Sequence, residues 1–235
     1  MKRICYDIEV LPNFFSIAII DYDSRDEETL EISERKNNIV EIYHRFTHIK
    51  YAIGFNIISY DNTIINYIIQ NYDKLQYCSS DMITGQLYAL SKLIIDDDEH
   101  KNYDIYKKYR YKTPFESIDI FLFWSKMLRL SKKLSLKSLS ANIFWHNIQQ
   151  IPVAHNEKLP LDRFDSVLEY GRNDVLITKE LANRLKNKIN LRRDIQEQYK
   201  LKCLSWDEVK IGLNILDKLY SKEIGNDRFK EEQTW

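Results

Sequence analysis

The chain has 235 residues, 44% of them hydrophobic, with 35 basic and 35 acidic side chains and a formal net charge of zero. That length carries one large core, and the balanced charge removes any global electrostatic argument for nucleic-acid binding while leaving local patches open. Cys5, Cys78 and Cys203 are scattered with no C-x-x-C pair, and the longest apolar runs fall short of the ~20 residues of a membrane span, so the expectation is a reduced, cytoplasmic protein without disulfides, thiolate zinc or a membrane partner.

Residues 3–9 and 14–22 read as strands joined by a turn at "LPN", and "ETLEISE" alternates as the third strand of an antiparallel meander. In "NNIVEIYHRFTHI", Ile39, Ile42, Tyr43 and Phe46 recur at helical spacing behind an N-cap at Asn37 or Asn38. "YAIGFN" is a short buried-strand run, and "DNTIINYIIQNY" starts a helix at Asp61. Residues 80–112 combine an apolar helical piece, the acidic run "DDDEH" and the basic "YKKYRYK", and read as an insertion passing over the surface. "FESIDIFLF" reads as a returning strand and "LSLKSLSANIF" as an amphipathic helix, with positive charge concentrated between them in "SKMLRLSKKLSLK". Residues 160–189 form the clearest long helix, followed by helices over "LRRDIQEQYKL" and "SWDEVKIGLNILDKLYSKEIG". With 5 Gly and 4 Pro in the chain, no flexible linker marks a boundary.

Three spacings bear on chemistry. Side chains alternate along a strand, so Asp7 and Glu9 share one face of the first strand. Two like charges held there repel, and half-burial makes the conflict costly unless a cation lies between them. A divalent metal resolves it, although D-x-E alone fits a strand whose polar face meets water. Asn56 ends the fourth strand run and Asp61 opens the helix after it, in N-x3-Y-D spacing. An N-cap aspartate with a loop asparagine gives the same pattern. Tyr170 and Asp174 lie four apart, on one face of the long late helix.

The ordered set, D-x-E on the first strand, N-x3-Y-D at a strand-to-helix junction and Y-x3-D on a late helix, resembles the tyrosine branch of the DEDD superfamily of 3′ to 5′ exonucleases, over roughly residues 3–190. The flanking "DIEVLPNFF", "LSLKSL" and "EYGRNDVLIT" look like the proofreading exonuclease domains of bacteriophage DNA polymerases. The histidine branch would place His where this chain has Glu169, which favours Tyr170 as the fifth site residue. The resemblance implies a ribonuclease H-like α/β fold: a mixed sheet, with a three-strand antiparallel meander plus parallel strands, flanked by helices. Residues 1–190 would form that domain, and residues 191–235 a helical extension similar to the connector that precedes a polymerase region.

By the same resemblance, Asp7, Glu9, Asp61 and Asp174 would hold two Mg2+ or Mn2+ ions, since hard oxygen ligands suit those cations. Asp7 would bridge both ions, Glu9 and Asp174 would complete the site of the attacking water, and Asp61 would support the second ion. Tyr170 would orient the water, because a phenol with a pKa near 10 is a poor base at neutral pH. The substrate would be single-stranded DNA or a frayed primer 3′ end, contacted by Val10, Leu11 and Asn56, and the product a nucleoside 5′-monophosphate. A separate polymerase subunit or domain is the implied partner, and for a phage protein the location would be the host cytoplasm. An RNA exonuclease of the same superfamily and a noncatalytic nucleic-acid-binding scaffold are the alternative functions.

Overall fold

Arg3–Leu11 forms β1, and its alternation places Ile4, Tyr6, Ile8 and Val10 in one core cluster and Cys5 in a second on the opposite face of the sheet. The computed structural model describes residues 3–96, 108–109, 113–127 and 135–224; the "DDDEH" run beyond Asp96, most of "YKKYRYK" and most of the basic stretch before Ser135 lie outside the described residues. Phe14–Asp21 (β2) returns antiparallel after Pro12 and Asn13, and Glu27–Ile32 (β3) completes the expected meander. Tyr51–Gly54 (β4) pairs parallel with β1, and Glu116–Asp119 (β5) pairs parallel with β4, giving the order β3-β2-β1-β4-β5. The protein is therefore α/β with a five-strand mixed sheet.

Helices cover both faces. Ile39–Thr47 (α1), Asp61–Leu75 (α2) and Ser80–Ile95 (α3) bury their apolar residues in the first cluster. On the other face lie Ile120–Met127 (α4), Leu136–Asn142 (α5), Phe164–Arg184 (α6) and Lys186–Tyr199 (α7), which contribute Phe123, Leu139, Val175, Leu181 and Ile189 to the second cluster. A third cluster of Leu11, Phe14, Leu159, Phe164 and Val167 closes the β1–β2 turn end. Asn13 fixes that turn, donating to the Leu159 carbonyl at 3.0 Å and accepting from the Leu159 N–H at 2.8 Å.

Four expectations need correction. The helix at 83–95 does not run over the surface: Ile83, Leu87, Leu90 and Ile94 are core residues against the sheet, because its apolar stripe has a sheet face to cover. "FESIDIFLF" is a strand only to Asp119 and then turns into α4; a short apolar run carries too little periodicity to tell strand from helix, and the Asp119 carboxylate accepts the Phe121 N–H at the start of the helix. The long late helix breaks at Leu185, which remains buried, so α7 departs in a new direction without exposing an apolar side chain. Of the two N-cap candidates, Asn38 directly precedes α1 but its side chain accepts the Glu31 N–H at 3.0 Å and ties the helix to β3, while the Asn37 side chain accepts the Ile39 N–H at 3.2 Å.

Glu208–Ile224 forms α8, which buries Ile211 and leaves Val209, Leu213 and Leu216 exposed. No described helix is long and apolar enough to cross a membrane. Gly54, at the end of β4, has no room for a side chain: a Cβ there would sit 2.0 Å from Ile57 Cγ2 and 3.0 Å from the Tyr6 carbonyl oxygen. Gly54→Ala should therefore cost on the order of 1–3 kcal/mol, measured by chemical denaturation, as the loop carrying Asn56 to Asp61 is forced off the sheet. Unchanged stability would mean that this loop is not held against β1.

Candidate functional site

The second face of β1 carries Asp7 and Glu9 beyond the end of its pairing with β4, which stops at Cys5 opposite Ile53. Across the sheet their partners are Ala18 and Ser16, small residues that leave the space above the two acids open. Helix α6 crosses that space. Gly171 brings the helix close, since a Cβ there would lie 3.8 Å from Glu9 Cγ and 3.7 Å from Ala18 Cβ. Tyr170, immediately before Gly171, and Asp174, three residues after it, flank this approach.

Asp7, Glu9 and Asp174 consequently form a group whose ligand oxygens all lie within 4.8 Å of one another, with Glu9 and Asp174 buried and Asp7 half-buried. Oxygens this close can share one divalent cation, and three hard carboxylates suit Mg2+ or Mn2+. Asp61, buried at the first position of α2, stands outside the group of three. Its carboxylate accepts the Ile8 N–H, and after burial its charge is the strongest influence on Asp7.

The electrostatics favour a cation among these acids. Burial first, then the charges of Asp61, Glu9 and Asp174, push Asp7 well above the usual carboxylate range. Burial together with Asp174 and Asp61 pushes Glu9 up to about 8, and burial pushes Asp61 up to about 7. Asp174 is pushed up to about 6 by burial, even though it accepts the Tyr170 hydroxyl proton in a hydrogen bond. A group of acids that repel at short range gains most from a positive charge placed among them.

Tyr170 is held well above its ordinary value by burial and by the neighbouring Asp174 and Glu9, so its hydroxyl stays protonated and serves as a donor. Lys137, on α5, places its ammonium 5.3 Å from the centre of the Tyr170 ring, and its charge opposes the upward shift of both Glu9 and Asp174. Sequence reasoning placed Lys137 in a basic stretch and in the flanking "LSLKSL" but gave it no role at the site. The available signal was its position three residues before the buried Ser140, on the inward side of a short amphipathic helix.

Asp119 was also missed. It is buried at the end of β5, and burial pushes it up to about 6. Its two oxygens accept the N–H groups of Asn56 at 2.9 Å and Ile58 at 3.1 Å, which fixes the loop leading to Asp61. Asn56 itself adopts a left-handed backbone with φ 62°. Reading "FESIDIFLF" as one strand hid it, because the strand ends at Asp119 and a helix follows at once.

A cleft of about 700 Å³ opens beside Glu9. Val10 and Asn56 line it, together with Tyr60, Tyr88, Lys92 and His155. Leu11 does not: it has no exposed surface and packs with Phe14 and Phe164 in the third cluster. Tyr60 is fixed through a 2.6 Å hydrogen bond between its hydroxyl and Ser91. Comparison with known proteins gave no match to any family model, curated protein or solved structure.

Proposed function

We propose that the protein is a divalent-metal-dependent 3′ to 5′ DNA exonuclease on a ribonuclease H-like fold, releasing nucleoside 5′-monophosphates, with proofreading in phage-type DNA replication as its setting. The observation that carries this reading is the convergence of Asp7, Glu9 and Asp174 within 4.8 Å, with the Tyr170 hydroxyl bonded to one of them and a cleft at their edge. The strand order, with an antiparallel meander on one side of β1 and parallel strands on the other, supports the fold assignment.

Asp7, Glu9 and Asp174 would hold the first Mg2+ or Mn2+, and Asp7 with Asp61 a second. When bound, such ions acidify water and neutralise charge on the phosphoryl oxygens. Tyr170, whose single hydroxyl proton is given to Asp174, would position the attacking water by accepting a hydrogen bond from it rather than by taking its proton. Lys137 holds a positive charge beside Glu9 and Asp174, where a phosphodiester must approach a strongly acidic surface. The cleft accepts the strand end, with Val10 and Tyr60 offering apolar and aromatic surface to a base without reading its identity.

Incubation of 5′-labelled single-stranded DNA, beside the same RNA sequence, with Mg2+, Mn2+ or EDTA tests the reading. A ladder shortening from the 3′ end of DNA in metal and absent in EDTA is expected. Preferential cleavage of RNA would move the protein to RNA processing, and no cleavage of either would leave a binding domain. Tyr170→Phe should retain metal binding and lose roughly tenfold or more in turnover, read by single-turnover kinetics. An unchanged rate would remove Tyr170 from the water-positioning role.

A further inference from the structure

At the end of the sheet remote from the acids, a second pocket of about 270 Å³ is lined by Arg3, Arg25, Lys186 and Arg193, with Asp23 as the one acid. Arg3 and the acidic end lie on the same face of β1; six residues separate Arg3 from Glu9, about 20 Å at ~3.3 Å per residue. The chain as a whole is neutral, so this pocket is a local excess of positive charge.

Asp23 is engaged, since it pairs with Arg3. Arg25, Lys186 and Arg193 make no side-chain hydrogen bond or ion pair among the described residues, and Arg193 Nε is buried without a partner. A guanidinium N–H withdrawn from water and left unpaired is costly, so the protein alone does not satisfy this side chain. Arg25 is held at the rim by a tight turn with φ 68°, its N–H donating to the Asp21 carbonyl at 3.1 Å. The deeper wall is apolar and aromatic, with Tyr51, Ile53, Ile118 and Ile189. Tyr22 flanks it, fixed by its hydroxyl on Asn183 at 2.8 Å. Cations at the rim and a flat apolar wall behind suit a ligand with a phosphate at one end and a ring at the other. The volume, just below the roughly 300–1,000 Å³ of drug-sized sites, limits it to one nucleotide unit.

We propose that this pocket binds a mononucleotide, its phosphate on Arg25, Lys186 and Arg193 and its base against the Tyr51 and Ile53 wall. The proposal stands apart from the nuclease reading, because none of these residues belongs to the acidic site. Calorimetric titration of the full chain with deoxyadenosine monophosphate, inorganic phosphate and deoxyadenosine tests it. The titrations are run in EDTA, so that no metal draws phosphate to the carboxylates. The nucleotide should bind more tightly than phosphate or nucleoside, weaken with added salt, and lose about tenfold in affinity in Arg193→Ala and in Arg25→Ala. Arg25 is exposed in a turn, so Arg25→Ala keeps the test valid if Arg193→Ala fails to fold. Absence of nucleotide binding, binding equal to that of phosphate alone, or affinity unchanged in Arg25→Ala would overturn the proposal.

Discussion

Asp7→Asn is expected to abolish the proposed metal-dependent shortening of DNA while leaving a folded protein that is more stable than wild type in the absence of metal. Asp7 is the acid on which the other three act, its pKa raised by Asp61, Glu9 and Asp174 in that order after burial. Removing its charge takes away one ligand of the group of three. The same change removes the cost of burying that acid beside three others when no metal is supplied. One pKa unit corresponds to 1.36 kcal/mol, so a gain of roughly 1 kcal/mol, or about 2–4 °C in a chain of this size, is the expected scale. Calorimetric melting in EDTA and the DNA assay in Mn2+ read the two effects separately. Undiminished cleavage would place the chemistry elsewhere, and a lower melting temperature would show that the Asp7 charge is satisfied by the protein itself.

The second large effect is on pH dependence. In the folded, metal-free protein Glu9 titrates near 8, Asp61 near 7 and Asp174 near 6, whereas in the unfolded chain carboxylates titrate near 4. Between those limits the folded state holds protons that the unfolded state has released. Stability contributed by these groups is therefore complete below about pH 4 and lost as pH rises through 6 to 8. Other carboxylates act in the opposite direction at low pH: Asp23, bonded to Arg3, is held below its ordinary value. The melting temperature in EDTA should fall from about pH 5.5 to 8.5, with a summed change on the order of a few kcal/mol. Mg2+ competes with those protons, so its stabilising effect should be small at the acid end and large at the alkaline end. A flat profile in EDTA, or equal stabilisation by Mg2+ at both ends, would separate the acids from metal binding.

Much of this site was legible because strand and helix periods are local properties. The two-residue spacing of Asp7 and Glu9 fixes a shared face wherever the strand packs, and the four-residue spacing of Tyr170 and Asp174 does the same on α6. What the sequence could not supply was the approach of distant elements. Gly171 matters because α6 crosses β1 at Glu9, and nothing near residue 171 announces that crossing. Asp119 orders the Asn56 loop from 63 residues away, through backbone N–H groups that have no sequence signature. Leu11 illustrates the reverse error. It follows Glu9 closely enough to suggest a substrate contact, but the turn at Pro12 and Asn13 folds it under α6 with Phe164. α3 is not a surface excursion because its own apolar stripe, Ile83, Leu87, Leu90 and Ile94, covers the sheet, and the charged run begins only at Asp96.

The measurement closest to the central claim is calorimetric titration of Mn2+ at pH 7.5 into the wild-type protein and Asp174→Asn. Asp174 is on a different element from Asp7 and Glu9, so its variant tests the convergence rather than the strand alone. The account predicts saturable binding of at least one ion by wild type, accompanied by proton release, and binding weakened at least about tenfold in the variant. No binding, or binding that Asp174→Asn leaves unchanged, would contradict it.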